Sequence, residues 1–145
     1  MAGIVKVGKW GGDGGYLFDM GAATRVVAIR VRHGAAIDAI QILYESDGST
    51  KWTPQYGGNG GGLTEIALQE GEFLTSISGY YGDLQSINVV RSLTFGTNFS
   101  STYGPYGVEE GTHFSVPLEE GKIVGFFGRS GALLDAIGVY LGPNY

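Results

Sequence analysis

The same arrangement of glycines and aromatics returns three times along this 145-residue chain, at intervals just under fifty residues. An aromatic followed by glycine occurs at Trp10-Gly11-Gly12, Tyr56-Gly57-Gly58 and Tyr103-Gly104-Pro105, in steps of 46 and 47 residues. A second series closes apolar runs on glycine, in Val26–Gly34, Leu74–Gly82 and Ile123–Gly131, in steps of 48 and 49 residues. Gly71 and Gly121 stand just before the last two of those runs. A unit this short cannot bury its own apolar face, so three units must close around a shared core.

Each unit reads as β structure. Val27, Ile29 and Val31 alternate with Ala28, Arg30 and Arg32, and Ile40, Ile42 and Tyr44 alternate with Gln41, Leu43 and Glu45. Alternation of this kind marks a half-buried strand. Further strands are expected at Ile4–Val7, Thr50–Gln55, Thr64–Leu68, Phe73–Ser78, Val89–Thr97, Phe114–Leu118, Ile123–Phe127 and Leu133–Leu141. Glycine is abundant, 27 of 145 residues, and clusters between apolar runs as Gly11-Gly12-Asp13-Gly14-Gly15 and Gly57-Gly58-Asn59-Gly60-Gly61-Gly62, which is turn chemistry. Ten to twelve short strands predict an all-β sandwich, barrel or prism, in a single domain over residues 1–145.

Several classes of function are disfavoured. A net charge of −5 without a basic run argues against nucleic acid or an anionic membrane surface as partner. No apolar stretch approaches the length of a membrane span. With no cysteine there is neither a disulfide framework nor a thiolate metal site. The chain enters a strand-like segment directly after Met1, so a cytoplasmic or nucleocytoplasmic location is expected. Asn98-Phe99-Ser100 fits the glycosylation pattern, but a chance match in a polar loop is favoured.

The turns that follow the strand-ending glycines carry the functional signal. The first unit reads Gly34-Ala35-Ala36-Ile37-Asp38-Ala39-Ile40 and the last Gly131-Ala132-Leu133-Leu134-Asp135-Ala136-Ile137, equal in length and matched at glycine, aspartate, alanine and isoleucine. The middle unit runs from Gly82 through a longer connection to Arg91, which takes the aspartate position. Gly79–Asp83 also spells Gly-x-x-x-Asp but stands three residues out of register. Two preserved turns and one altered copy favour a ligand role over an aspartate that only caps its own turn. Such a turn aims backbone N–H donors and one carboxylate at one small volume. That mixture suits a polyhydroxylated ligand, whose hydroxyls both donate and accept.

The chain resembles the jacalin-related lectins, particularly the mannose-binding ones of monocot plants. The resemblance rests on Lys9-Trp10-Gly11-Gly12-Asp13-Gly14-Gly15, Tyr103-Gly104-Pro105-Tyr106-Gly107 and Gly125-Phe126-Phe127-Gly128-Arg129-Ser130-Gly131, continuing to Asp135-Ala136-Ile137-Gly138. It implies a β-prism I of three four-stranded Greek-key sheets with a pseudo-threefold repeat. It also implies binding of mannose- or glucose-containing glycans without a metal or other cofactor, by a homodimer or higher homo-oligomer. A first carbohydrate site would use Gly15, Gly131, Ala132, Leu133 and Asp135. A second would use Gly61, Gly34, Ala35, Ala36 and Asp38. Galactose-preferring relatives carry aromatics in the recognition turn and are cleaved near it; here Ala132, Leu133 and Leu134 are aliphatic, which favours mannose or glucose. Ala35 stands where some two-site relatives have an acid. Tyr80 aligns with an aromatic that walls the main site in some relatives.

Other residues have plainer readings. Trp10, Tyr56 and Tyr103 are expected to pack or to support loops. His33 and His113 lack metal-ligand spacing, and the pairs Glu109-Glu110 and Glu119-Glu120 read as solvated turns. No enzyme motif stands out, so catalysis is not expected. A glycan-processing enzyme and a protein-interaction module remain the rival classes.

Overall fold

The computed structural model describes residues 3–117 and 121–143, so the pair Glu119-Glu120 and the predicted strand end at Leu118 lie outside the described residues. The described residues form thirteen strands: β1 (Val5–Gly11), β2 (Tyr16–Asp19), β3 (Arg25–His33), β4 (Ile37–Ser46), β5 (Ser49–Trp52), β6 (Tyr56–Gly57), β7 (Gly62–Ala67), β8 (Leu74–Leu84), β9 (Ile87–Thr97), β10 (Thr102–Gly107), β11 (Thr112–Pro117), β12 (Lys122–Ser130) and β13 (Leu134–Gly142). No helix occurs among the described residues. The strands form three antiparallel sheets, ordered β1-β13-β12-β2, β5-β4-β3-β7 with β6 also on β4, and β10-β9-β8-β11. This is the expected β-prism, with the first sheet assembled from both ends of the chain.

The ladders give the repeat its register. Trp10 lies opposite Ile137, Tyr56 opposite Ile40 and Tyr106 opposite Leu93, each followed by a glycine opposite a small residue. The third aromatic of the series is therefore Tyr106-Gly107, and the sequence reading that used Tyr103-Gly104 is three residues out. Tyr103 matches Val7 and Thr53 instead. All three edge strands break at this point: β1 between Val7 and Trp10, β10 between Tyr103 and Tyr106, and the middle sheet's edge at Thr53–Gln55. The five-stranded sheet is thus a four-stranded one whose edge is divided into β5 and β6. The expected continuous strand Thr50–Gln55 ends early because Pro54 has no N–H for the ladder, and Thr53 Oγ1 accepts from the Ile42 N–H instead.

A further shift separates Val26 from Ala28. It turns Val26 into the core and leaves Val27 half-buried, so Val26, not Val27, continues the buried series of Ile29 and Val31. An extra residue in one strand does this wherever it occurs.

One core unites the sheets through side chains including Ile29, Ile42, Ile77, Phe95, Phe126 and Val139. Phe95 and Phe126 meet edge to face at 6.4 Å, a favourable aromatic geometry. The repeat aromatics seal the seams between sheets. Trp10 stacks on Phe114 at 4.8 Å and Tyr56 on Phe18 at 4.0 Å. The residue in register with Phe18 and Phe114 is Thr64. There His33 takes the ring's place: its Nε2 bonds Thr64 Oγ1 at 2.8 Å and its ring tilts against Tyr106 at 4.9 Å. The expected packing role holds for Trp10 and Tyr56, and His33 is a satisfied structural histidine.

Candidate functional site

The loop after β1 and the turn between β12 and β13 meet at one end of the prism. Gly131 N–H donates to Leu133 O at 2.9 Å, which folds the turn, and Gly12 N–H donates to Asp135 O at 2.9 Å, which holds the loop beside it. Ala132 is exposed and Leu133 half-buried, whereas Asp135 is only 6% exposed. A β carbon on Gly14 would stand 2.6 Å from Asp135 Oδ2, and one on Gly15 would stand 2.7 Å from Oδ1 and 2.4 Å from Ser130 O. Gly15 also has φ of +66°, a conformation that favours glycine. The carboxylate can occupy this place only because both loop residues lack side chains.

Arg129 lies across the same loop. Its Nε donates to Gly14 O at 3.0 Å and its Nη2 to Gly15 O at 3.1 Å. Burial pushes the Asp135 carboxyl above the ordinary aspartate range, while the Arg129 charge and the aspartate's own backbone N–H pull it back. At neutral pH the site presents a partly desolvated acceptor, which forms stronger hydrogen bonds than one in open water.

The first-unit turn repeats this construction. Gly34 N–H donates to Ala36 O at 2.9 Å and Gly58 N–H to Asp38 O at 3.0 Å. β carbons on Gly60 and Gly61 would each stand 2.6 Å from an Asp38 carboxylate oxygen. Gly61 has φ of +69°. Arg32, in register with Arg129, reaches Asn59 O at 3.3 Å, and Gln55 Nε2 donates to Gly58 O and Asn59 Oδ1 at 3.0 and 2.8 Å. Gly34 and Ala35 are exposed and Ala36 is buried. The structure therefore brings together each predicted set, Gly15 with Gly131–Asp135 and Gly61 with Gly34–Asp38.

The third unit is built differently. β8 and β9 continue past Gly82 as a paired hairpin, Asp83 opposite Asn88 and Leu84 opposite Ile87, closed by Gln85 and Ser86 at φ of +51° and +71°. Arg91 occupies the aspartate position, as the alignment predicts. It is 8% exposed, and its Nε and Nη1 donate to Ala35 O at 3.2 Å and Asp83 O at 2.9 Å. The loop facing it is Val108–Gly111: Val108 N–H donates to Arg91 O at 2.9 Å, as Gly12 and Gly58 do to the two aspartates. Glu110 replaces the first glycine of the pair, with Oε2 3.8 Å from Arg91 Nη1. Gly79 lies within β8, so Gly79–Asp83 is no third turn.

Tyr80 matches Arg129 and Arg32 in register, and its ring tilts against His113 at 5.1 Å. Asn88 of the same hairpin meets the first-site loop: its carbonyl oxygen would lie 2.2 Å from a β carbon on Gly12. Gly58 of the second-site loop is packed just as closely on Ala132 O of the first-site turn. The two sites are thus neighbours in direct contact. Reading the sequence alone missed Gly14, Gly60, Arg129 and Arg32. The signal was present as two Gly-Gly pairs and as an arginine two residues before Gly34 and Gly131, with Tyr80 at that place before Gly82.

Among the described residues no group of three or more His, Asp or Glu is placed to hold a metal ion. Asn98 bonds Gly71 O at 2.9 Å and accepts from Phe73 N–H at 2.7 Å, so its amide ties two turns together.

Residues 7–140 match the family described as the jacalin-like lectin domain. The chain belongs to this family. It is 43% identical over 95% of its length to jacalin-related lectin 3 of Arabidopsis thaliana, of which it spans only 24%. The mannose-binding jacalin-related lectin of Ananas comosus is 51% identical, with a TM-score of 0.93, covering 98% of this chain and 99% of that one. A mannose-specific jacalin-related lectin from Morus nigra, solved with mannose, is 46% identical, with a TM-score of 0.90 and coverage of 98% and 96%.

Proposed function

We propose that the protein is a non-catalytic lectin that binds mannose- or glucose-containing glycans at two sites on one end of the prism. One observation carries this reading: Asp135 and Asp38 are each seated against a Gly-Gly pair whose side chains would otherwise fill the space. An ionised carboxylate accepts from two adjacent sugar hydroxyls, and the backbone N–H groups of the neighbouring turn and loop donate to sugar oxygens. The aliphatic Ala132 and Leu133 favour mannose or glucose over galactose, in keeping with the two mannose-binding structural relatives. Charged hydrogen bonds contribute roughly 1.5–3 kcal/mol each, but a monosaccharide buries little apolar surface. Single sites should bind weakly, with useful avidity arising from two sites per chain and from assembly into a homodimer or larger oligomer.

A glycan array with free mannose and free galactose as competitors tests this reading, beside sedimentation for the oligomer. Retention on mannose-rich glycans, competed by mannose and not by galactose, is expected. Retention that only galactose competes would overturn the specificity, and release of sugar from an oligosaccharide would overturn the non-catalytic assignment.

A further inference from the structure

We infer that Arg129 is a positioning residue of the first sugar site, holding its glycine loop in the sugar-accepting orientation although it belongs to neither the turn nor the loop. The inference rests on the sugar-binding reading of that site. Arg129 lies on β12, 114 and 115 residues from its partners, and grips two successive carbonyls, Gly14 O and Gly15 O, at 3.0 and 3.1 Å. A trans peptide points its N–H opposite to its carbonyl. Fixing Gly14 O therefore fixes the Gly15 N–H, and one planar guanidinium sets two consecutive peptide planes. The loop needs such an external brace. Its glycines have no side chains to hold it, and they lose more conformational freedom on ordering than any other residue.

The internal repeat supplies the control. Arg32 takes the same position at the second site but makes a single, longer contact of 3.3 Å to Asn59 O, with its Nε buried and unpartnered, and Gln55 shares the bracing there. The third unit has Tyr80 in register, and it also lacks the aspartate and the Gly-Gly pair. Arginine, aspartate and paired glycines occur together in two units and are replaced together in the third. A residue serving only the sheet would not follow the turn in this way.

The test uses the full chain with Asp38→Ala as background, so that only the first site binds, and methyl α-mannoside as probe. Arg129→Gln should weaken binding on the order of tenfold, the scale of one charged hydrogen bond, and shift the Gly14 and Gly15 amide resonances while leaving those of Gly60 and Gly61 in place. Arg129→Lys, which keeps the charge but grips one carbonyl at a time, should recover part of the affinity and serves also if the glutamine variant fails to fold. In an Asp135→Ala background, Arg129→Gln should leave second-site affinity unchanged. Unaltered first-site affinity in folded Arg129→Gln or Arg129→Lys would overturn the inference while leaving the sugar reading intact. Absence of mannoside binding to the background protein would remove both.

Discussion

The turn that ends in Asp135 and the hairpin that leads to Arg91 occupy the same place in two sheets of one prism, yet their charges are reversed. At the first, a buried carboxylate faces Gly14 and Gly15, and the arginine lies outside the loop. At the second, the arginine is buried at the carboxylate's position, and Glu110 stands where Gly14 would be. Both arrangements satisfy the backbone in the same way, by a bond from the facing loop to the carbonyl at that position. The fold therefore accepts either chemistry, and folding alone does not explain why two units keep Asp with Gly-Gly. Arg91 also bonds Ala35 O in the second-site turn. The unit without a carboxylate of its own supports its neighbour's site.

The comparison breaks most sharply at the carboxylates. Asp135→Asn should weaken mannoside binding at the first site about a hundredfold or more, since two charged hydrogen bonds of roughly 1.5–3 kcal/mol each are lost, as calorimetry in an Asp38→Ala background would record. Stability should move the other way. Burial raises the folded-state pKa of Asp135, so its contribution is favourable below the unfolded pKa of about 3.9 and is lost as pH rises through the folded value. At pH 7 the asparagine variant should melt no lower than the parent, and a markedly lower Tm would contradict this account of the buried acid. In the parent, first-site binding should fall on acidification at a pH above the ordinary aspartate range.

The paired glycines give the next effect. Gly14→Ala and Gly60→Ala each place a methyl 2.6 Å from a carboxylate oxygen. Each should weaken its own site on the order of tenfold, the scale of about 1.4 kcal/mol, and spare the other. Equal loss at both sites in either variant would show a general loosening instead.

Smaller still, Arg91→Ala strips the donors from Ala35 O and Asp83 O. It should cost about 1–3 kcal/mol in urea denaturation and weaken the second site more than the first. An equal effect on both sites would remove the bracing role assigned to Arg91. At the bottom of the scale, a chelator should change binding at neither site, and activity restored by calcium would contradict the metal-free reading.

Much of this was legible because glycine and aspartate are hard to substitute where they do this work. Gly34, Gly82 and Gly131 keep matched places, and the substitution of Arg91 for aspartate could be read from alignment. The misreadings arose where a strand gains or loses a residue. Tyr103-Gly104 took the place that Tyr106-Gly107 holds because both spell an aromatic followed by glycine, and the shift at Val27 exchanged Val26 with Val27, since alternation carries no mark of a bulge. Arg129 and Arg32 were passed over because they sit on strands as ordinary outward-facing arginines. Their link to Gly14, Gly15 and Asn59 exists only once chain ends more than a hundred residues apart, or twenty-seven in the case of Arg32, are brought together.

The central claim is that two of the three units are sugar sites. Titration with methyl α-mannoside should give two equivalents per chain, falling to one in Asp38→Ala, to one in Asp135→Ala and to none in the double variant. A single equivalent in the parent, unaffected by Asp38→Ala, would show that the Gly34–Asp38 turn shares the geometry of a site without the function.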